Sequence, residues 1–173
     1  MDKPLVNRVA NSGLITINLE DFFPKTELVA FDLKDYLFKE LILKEKDFRE
    51  ALKSHDWELY SGKIITVFCS ADAIIPVWAY MLVSSYAQPV AEEVFHGNKE
   101  EYLKAAYQKI VANIDGAQYQ EKRVVIKGCS NKPVPASAYV DLTSKLRPFA
   151  RSVMYGEPCS TVPIFKKPRK LNK

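Results

Sequence analysis

Apolar residues come in short runs along this chain, and the spacing of each run indicates its structure. "LITINL" (Leu14 to Leu19) and "ELVAFDL" (Glu27 to Leu33) are rich in apolar and branched residues and read as strands. "EDFFPKT" lies between them and reads as a turn. Leu41 to Leu43 can finish a further strand. "KDFREALKSHDW" then predicts a short helix, with Phe48, Leu52 and Trp57 facing inward and His55 near its end at the surface.

From Lys63 the pattern is clearer. "KIITVFC" is apolar without alternation, as expected of a strand covered on both faces. Ile75 to Tyr86 predicts a helix, with Pro76 in its first turn. "AEEVFHG" predicts a more polar edge strand. Asn98 and Glu101 form a capping box for the next helix. That helix places Tyr102, Leu103, Ala106, Tyr107, Ile110 and Val111 on one face. "RVVIKGC" predicts a strand, and Pro135 to Leu146 a helix with Asp141 and Lys145 paired one turn apart. Ser152 to Gly156 is the last clear strand.

This order predicts an α/β fold. It has a mainly parallel sheet from residue 63 onward with helices on both faces, and N-terminal strands that extend the sheet or form a small lobe. With 173 residues the expectation is one domain over 1–165 and a basic tail over 166–173. A doubly wound order 2-1-3-4, counting strands from Lys63, is the assumption adopted for the sheet.

Charge changes the picture only at one end. The chain carries 25 Lys and Arg against 21 Asp and Glu, but "KKPRKLNK" at the end holds five of the basic residues and no acid. The body is therefore near neutral, which argues against a nucleic-acid coat. The N-terminus has no apolar run of a secretory signal. Ala73 to Ala91 holds no charge over nineteen residues, but prolines and polar residues break it, so no membrane span is expected. Three cysteines make no disulfide scaffold, and a cytoplasmic setting is expected. The chain lacks the glycine-rich phosphate loops and the common hydrolase and zinc-protease motifs.

The cysteines carry the candidate chemistry. Each is followed by serine, and "CSADAIIPVWAY" and "CSNKPVPASAY" both run Cys-Ser, a gap, Pro, two residues, Ala-Tyr. The gap differs by one residue, so the two stretches suggest an internal repeat. Cys69, Cys129 and Cys159 all fall at the carboxyl ends of expected strands, where open α/β sheets bind ligands. Under the assumed strand order they converge. Three thiolates suit zinc or an iron–sulfur centre, with Asp72 as a fourth ligand. Against this, their spacing is wide and no C-x-x-C pair occurs. A single thiolate activated before a helix is the second reading, although no His lies near any Cys in sequence. A binding module without chemistry is the third. Each Cys also fits as a small buried residue at a strand end. Likewise Asp72 fits as a loop cap, and Ser70, Ser130 and Ser160 as loop hydrogen-bonders. Trp78, Tyr80 and Tyr139 are expected in the core.

At "NRVANSGLITINLEDF", "CSADAIIPVWAYM", "VVIKGCS" and "MYGEPCSTVP" the chain resembles a family of uncharacterised bacterial proteins catalogued as domain of unknown function 2480. The resemblance covers nearly the whole chain short of the basic tail and implies no assigned activity. It implies a loose association with iron–sulfur cluster assembly genes, and hence iron–sulfur assembly proteins as partners.

Overall fold

A computed structural model describes residues 13–128 and 131–168. In chain order its strands are β1 (Leu14–Ile17), β2 (Leu28–Asp32), β3 (Leu37–Phe38), β4 (Ile42–Leu43), β5 (Ile64–Phe68), β6 (Glu93–His96), β7 (Arg123–Ile126), β8 (Ser152–Glu157) and β9 (Ser160–Lys166). The helices are α1 (Glu45–Ser54), α2 (Val77–Ala87), α3 (Lys99–Asn113) and α4 (Ala136–Leu146). The residues divide into two compact units. A continuous unit runs from Pro24 to Leu103, and a split unit joins the chain up to Phe23 with the chain from Lys104 onward.

The α/β architecture and the parallel character of the sheets are as expected. In the continuous unit β2, β5 and β6 form a parallel sheet in that order, and β3 and β4 form a small antiparallel hairpin. In the split unit the order is β1-β7-β8-β9; the first three strands are parallel and β9 returns antiparallel to β8. The assumed order 2-1-3-4 is incorrect. It paired the third strand, now β7, with the first, now β5. A strand has only two hydrogen-bonding edges; β2 and β6 occupy those of β5, and β1 and β8 those of β7. The N-terminal strands thus extend two sheets, one each. Edge strand β6 is at an edge, as its polarity suggested.

Both central strands explain their own composition. Ile64, Ile65, Thr66 and Val67 are all buried, so β5 has no wet face and no alternation. Val124, Val125 and Ile126 do the same for β7. The continuous unit's core gathers Phe31, Leu33, Phe48, Leu52, Ile65 and Val67 with Ala79 and Val83 of α2. The split unit's core gathers Leu19, Tyr107, Val111, Val124, Leu142 and Val153.

The suspected repeat is far more extensive than two cysteine words. The 3-10 turns Trp57–Tyr60 and Gly116–Tyr119, helices α2 and α4, and the starts of β5 and β7 and of β6 and β8 all recur at a constant spacing of 59 residues. So do Asp56 and Asp115, Pro76 and Pro135, Tyr80 and Tyr139, Pro89 and Pro148, and Gly97 and Gly156. Phe48 and Leu52 of α1 correspond to Tyr107 and Val111 of α3 and fill the same core places. The first strands recur at a spacing of 14, as "INLEDF" and "FDLKDY". Asn18 and Asp32 end those strands, and each accepts the N–H two residues on, opening a 3-10 turn. The buried Leu19 and Leu33 follow. Within this framework the two Cys-Ser words are out of step by one residue: Cys69 corresponds to Gly128.

Several local readings need revision. Pro76 and Pro135 stand just before their helices, with extended ψ values of 137° and 142°. His55 is not a surface residue; it caps α1 half-buried, with its ring nitrogens 3.5 Å from the Tyr36 hydroxyl and 3.1 Å from that of Tyr60. Lys145 does not pair with Asp141 but donates to the Ala112 carbonyl at 2.9 Å. Strand β9 was not anticipated. Its last residue, Lys166, and Lys167, bonded to Arg151 and ion-paired with Glu121, belong to the expected tail. The capping box at Asn98 and Glu101 forms as read, with bonds of 2.8 and 3.0 Å. Among the described residues no helix is long and apolar enough to cross a membrane.

Two buried tyrosines give testable consequences. The Tyr107 hydroxyl donates to the Leu19 carbonyl at 2.8 Å, inside the core. Tyr107→Phe strands that carbonyl and should cost about 1–2 kcal/mol in urea unfolding; an unchanged midpoint would show that the bond contributes nothing. Burial pushes the phenols of Tyr107 and Tyr102 up to about 12, Tyr102 helped by the Glu93 carboxylate. A raised pKa favours the folded state fully below the unfolded value, and that advantage fades as pH climbs toward 12. Stability should therefore fall between about pH 10 and 12, and less steeply in Tyr107→Phe, as followed by circular dichroism.

Candidate functional site at a sheet edge

The carboxyl ends of β2, β5 and β6 carry a group of reactive side chains in the continuous unit. Asp32 is the last residue of β2. Its carboxylate accepts the N–H groups of Lys34 and Ser70, both at 3.0 Å, and so ties the loop after β5 to the end of β2. Burial alone would raise its pKa. The Ser70 hydroxyl, the two N–H groups and the Lys34 ammonium outweigh burial and hold it below the ordinary aspartate value.

Cys69 immediately precedes Ser70. It is half-buried and packs against the core, and its thiol donates to the Ala71 carbonyl at 3.7 Å. Strand alternation puts Cys69 on the same face as Val67. Val67 is in register with His96 at the end of β6, so His96 shares that face. Gly97 follows with φ of 133°, where a Cβ would lie 2.8 Å from Phe95 and Glu101, so glycine is needed to end the strand. Tyr80, from α2, sets its ring edge-on against His96, with centroids 4.6 Å apart at 84°. Burial raises the Tyr80 phenol, and negative charge on Cys69 and Asp32 raises it further. Tyr80 thus stays a hydrogen-bond donor at neutral pH and lies within electrostatic reach of both.

The arrangement places a thiol and an imidazole on one face of the sheet edge, with a protonated phenol against the imidazole, beside a carboxylate committed to the backbone. Of the residues singled out from sequence, Cys69 and Ser70 belong to this group. Asp72 lies exposed in the same loop. Cys159 is exposed in the turn between β8 and β9, in the split unit. Cys129 and Ser130 lie outside the described residues. Among the described residues no three His, Cys, Asp or Glu side chains come together as a metal site. Sequence reading missed Asp32, left His96 as a histidine that only folding could bring to a cysteine, and placed Tyr80 in the core, against which it packs. The paired words "INLEDF" and "FDLKDY" carried a usable signal for Asp32, since both place an Asx residue before a leucine at a strand end.

The equivalent edge of the split unit is different. Asn18, Gly128, Tyr139 and Tyr155 stand where Asp32, Cys69, Tyr80 and His96 stand in the other unit. Beside them lies an open cleft of about 320 Å3, lined by Ile126, Tyr139, Val140, Thr143, Tyr155 and Ile164 among others. Its hydroxyls are committed: Thr143 donates to the Tyr139 carbonyl and Tyr155 to that of Gly128.

The Asp32 staple can be tested against its own counterpart. Asp32→Ala leaves two N–H groups without their acceptor and should cost about 1–2 kcal/mol. Asp32→Asn copies Asn18 and should cost less than half of that. Because the Asp32 pKa is depressed, its contribution is full above the unfolded aspartate pKa and is lost as pH falls through the folded one. The acid limb of a stability–pH profile should flatten in Asp32→Asn; an identical limb would mean the carboxylate charge does not matter.

No curated protein and no solved structure matches the chain. One family model does, over residues 3–167. With that span, the chain belongs to the family described as protein of unknown function DUF2480.

Proposed function

We propose that the protein binds a small ligand at the carboxyl edge of the β2-β5-β6 sheet and acts on it through the Cys69 thiol. The observation that carries this reading is that Cys69 and His96, from neighbouring strand ends, share one face of the sheet edge, with Tyr80 of α2 set against His96. Asp32 supports them from a fourth element by fixing the loop. Ligands of open parallel sheets bind at this edge. The thiol is the nucleophile of the group, the imidazole an acceptor for its proton, and the phenol a donor toward a ligand oxygen. The roles are split between elements that the fold alone brings together, as in activated thiol sites generally.

A brief iodoacetamide pulse at neutral pH, read site by site by mass spectrometry, tests this. Cys159 is the more exposed thiol and serves as internal reference. Cys69 should label faster than Cys159 although it is the less exposed of the two. His96→Ala should bring Cys69 level with Cys159. Labelling of wild-type Cys69 no faster than Cys159 sinks the proposal. Zinc or iron that survives anaerobic purification, and is lost with Cys69→Ser, would replace it with a metal-binding role for Cys69.

A further inference from the structure

The same edge occurs twice in the chain, and the two copies differ where chemistry would happen. In the split unit the Tyr155 ring lies over Gly128 and its hydroxyl donates to the Gly128 carbonyl at 3.0 Å. A Cβ on Gly128 would sit 2.6 Å from Tyr155 Cζ and 2.8 Å from Cε1, distances at which the ring must move. Gly128 is not among the glycines with positive φ, so its backbone would admit a side chain. The ring excludes one. The tyrosine contact is shared: Tyr139 meets Tyr155 edge-on at 5.8 Å, as Tyr80 meets His96 at 4.6 Å.

We propose that the split unit keeps a closed copy of the site, shut by the Tyr155 phenol over Gly128, and that Cys69 and His96 are its open form. The proposal rests on the reading of Cys69 as the working group. Imidazole is shorter than phenol, and the space it gives up is where a side chain at position 69 begins. Each pair is therefore exchangeable only as a pair. A tyrosine at position 96 would run into Cys69 Cβ, and a side chain at position 128 would drive Tyr155 outward. The position just past the central strand thus admits a side chain in the continuous unit alone, and its partner at the end of the next strand decides this.

A double-mutant cycle in the full chain tests this by thermal melting. Gly128→Ala should lower Tm by about 3 °C or more, and by about 1 °C or less when Tyr155→His is already present. His96→Tyr should lower Tm, and Cys69→Gly added to it should restore at least half of the loss. In His96→Tyr the iodoacetamide labelling of Cys69 should drop below that of Cys159, because the phenol covers the thiol. Equal cost of Gly128→Ala in both backgrounds, or labelling of Cys69 indifferent to His96→Tyr, overturns the proposal. The melting arm reads packing alone. It stands or falls whether or not Cys69 proves unusually reactive, so failure of the closed copy and failure of the thiol reading are told apart.

Discussion

The Asp32 carboxylate holds the candidate site together. It ends β2, opens the turn that buries Leu33, and catches the N–H of Ser70 from the loop after β5. One side chain thus does for two strands what backbone pairing cannot do once the ladder has ended. A charged acceptor makes such bonds stronger than a neutral one, and the lowered pKa of Asp32 is the electrostatic record of that. Cys69 lies immediately before the captured N–H, so the thiol's position depends on this staple. Asn18 opens the matching turn in the split unit without a charge. The cap itself is therefore a general requirement of the module, and the charge is particular to the unit that holds Cys69.

Two copies of one module make a physical control available inside a single chain. The framework positions match: the capped turns, the prolines ahead of α2 and α4, and the buried residues of α1 and α3. These are the positions where packing density and backbone hydrogen bonding leave little choice. Among the many positions that differ are those at the carboxyl edge, where Cys69 and His96 stand in place of Gly128 and Tyr155. A shared scaffold that differs at such an edge is how one fold carries distinct sites.

The out-of-step cysteine words show how a local match can mislead. Aligning Cys69 with Cys129 requires a one-residue slip, while every surrounding element is in step without one. In a strand a slip of one residue turns a side chain to the other face. A shared Cys-Ser word therefore does not make two stretches equivalent, and the expectation that the cysteines converge rested on a strand order that the pairing of β5 with β2 and β6 rules out.

Much of the local structure was legible from sequence alone. The unalternating runs of β5 and β7, the capping box at Asn98, the helices following Pro76 and Pro135 and the edge character of β6 all follow from near neighbours in the chain. Periodicity, capping groups and proline act over a few residues, so the sequence displays them directly. Strand β9 was hidden because Pro163 interrupts its pattern. Tertiary structure alone decided which strands pair, that β1 and β2 join different sheets, that Asp32 holds the loop after Cys69, and that Tyr80 packs against His96 on the face Cys69 shares. The reason is that every strand edge offers the same backbone donors and acceptors, whatever its side chains. Only the packing of the whole unit selects among edges, and a site made from four elements exists only after that selection.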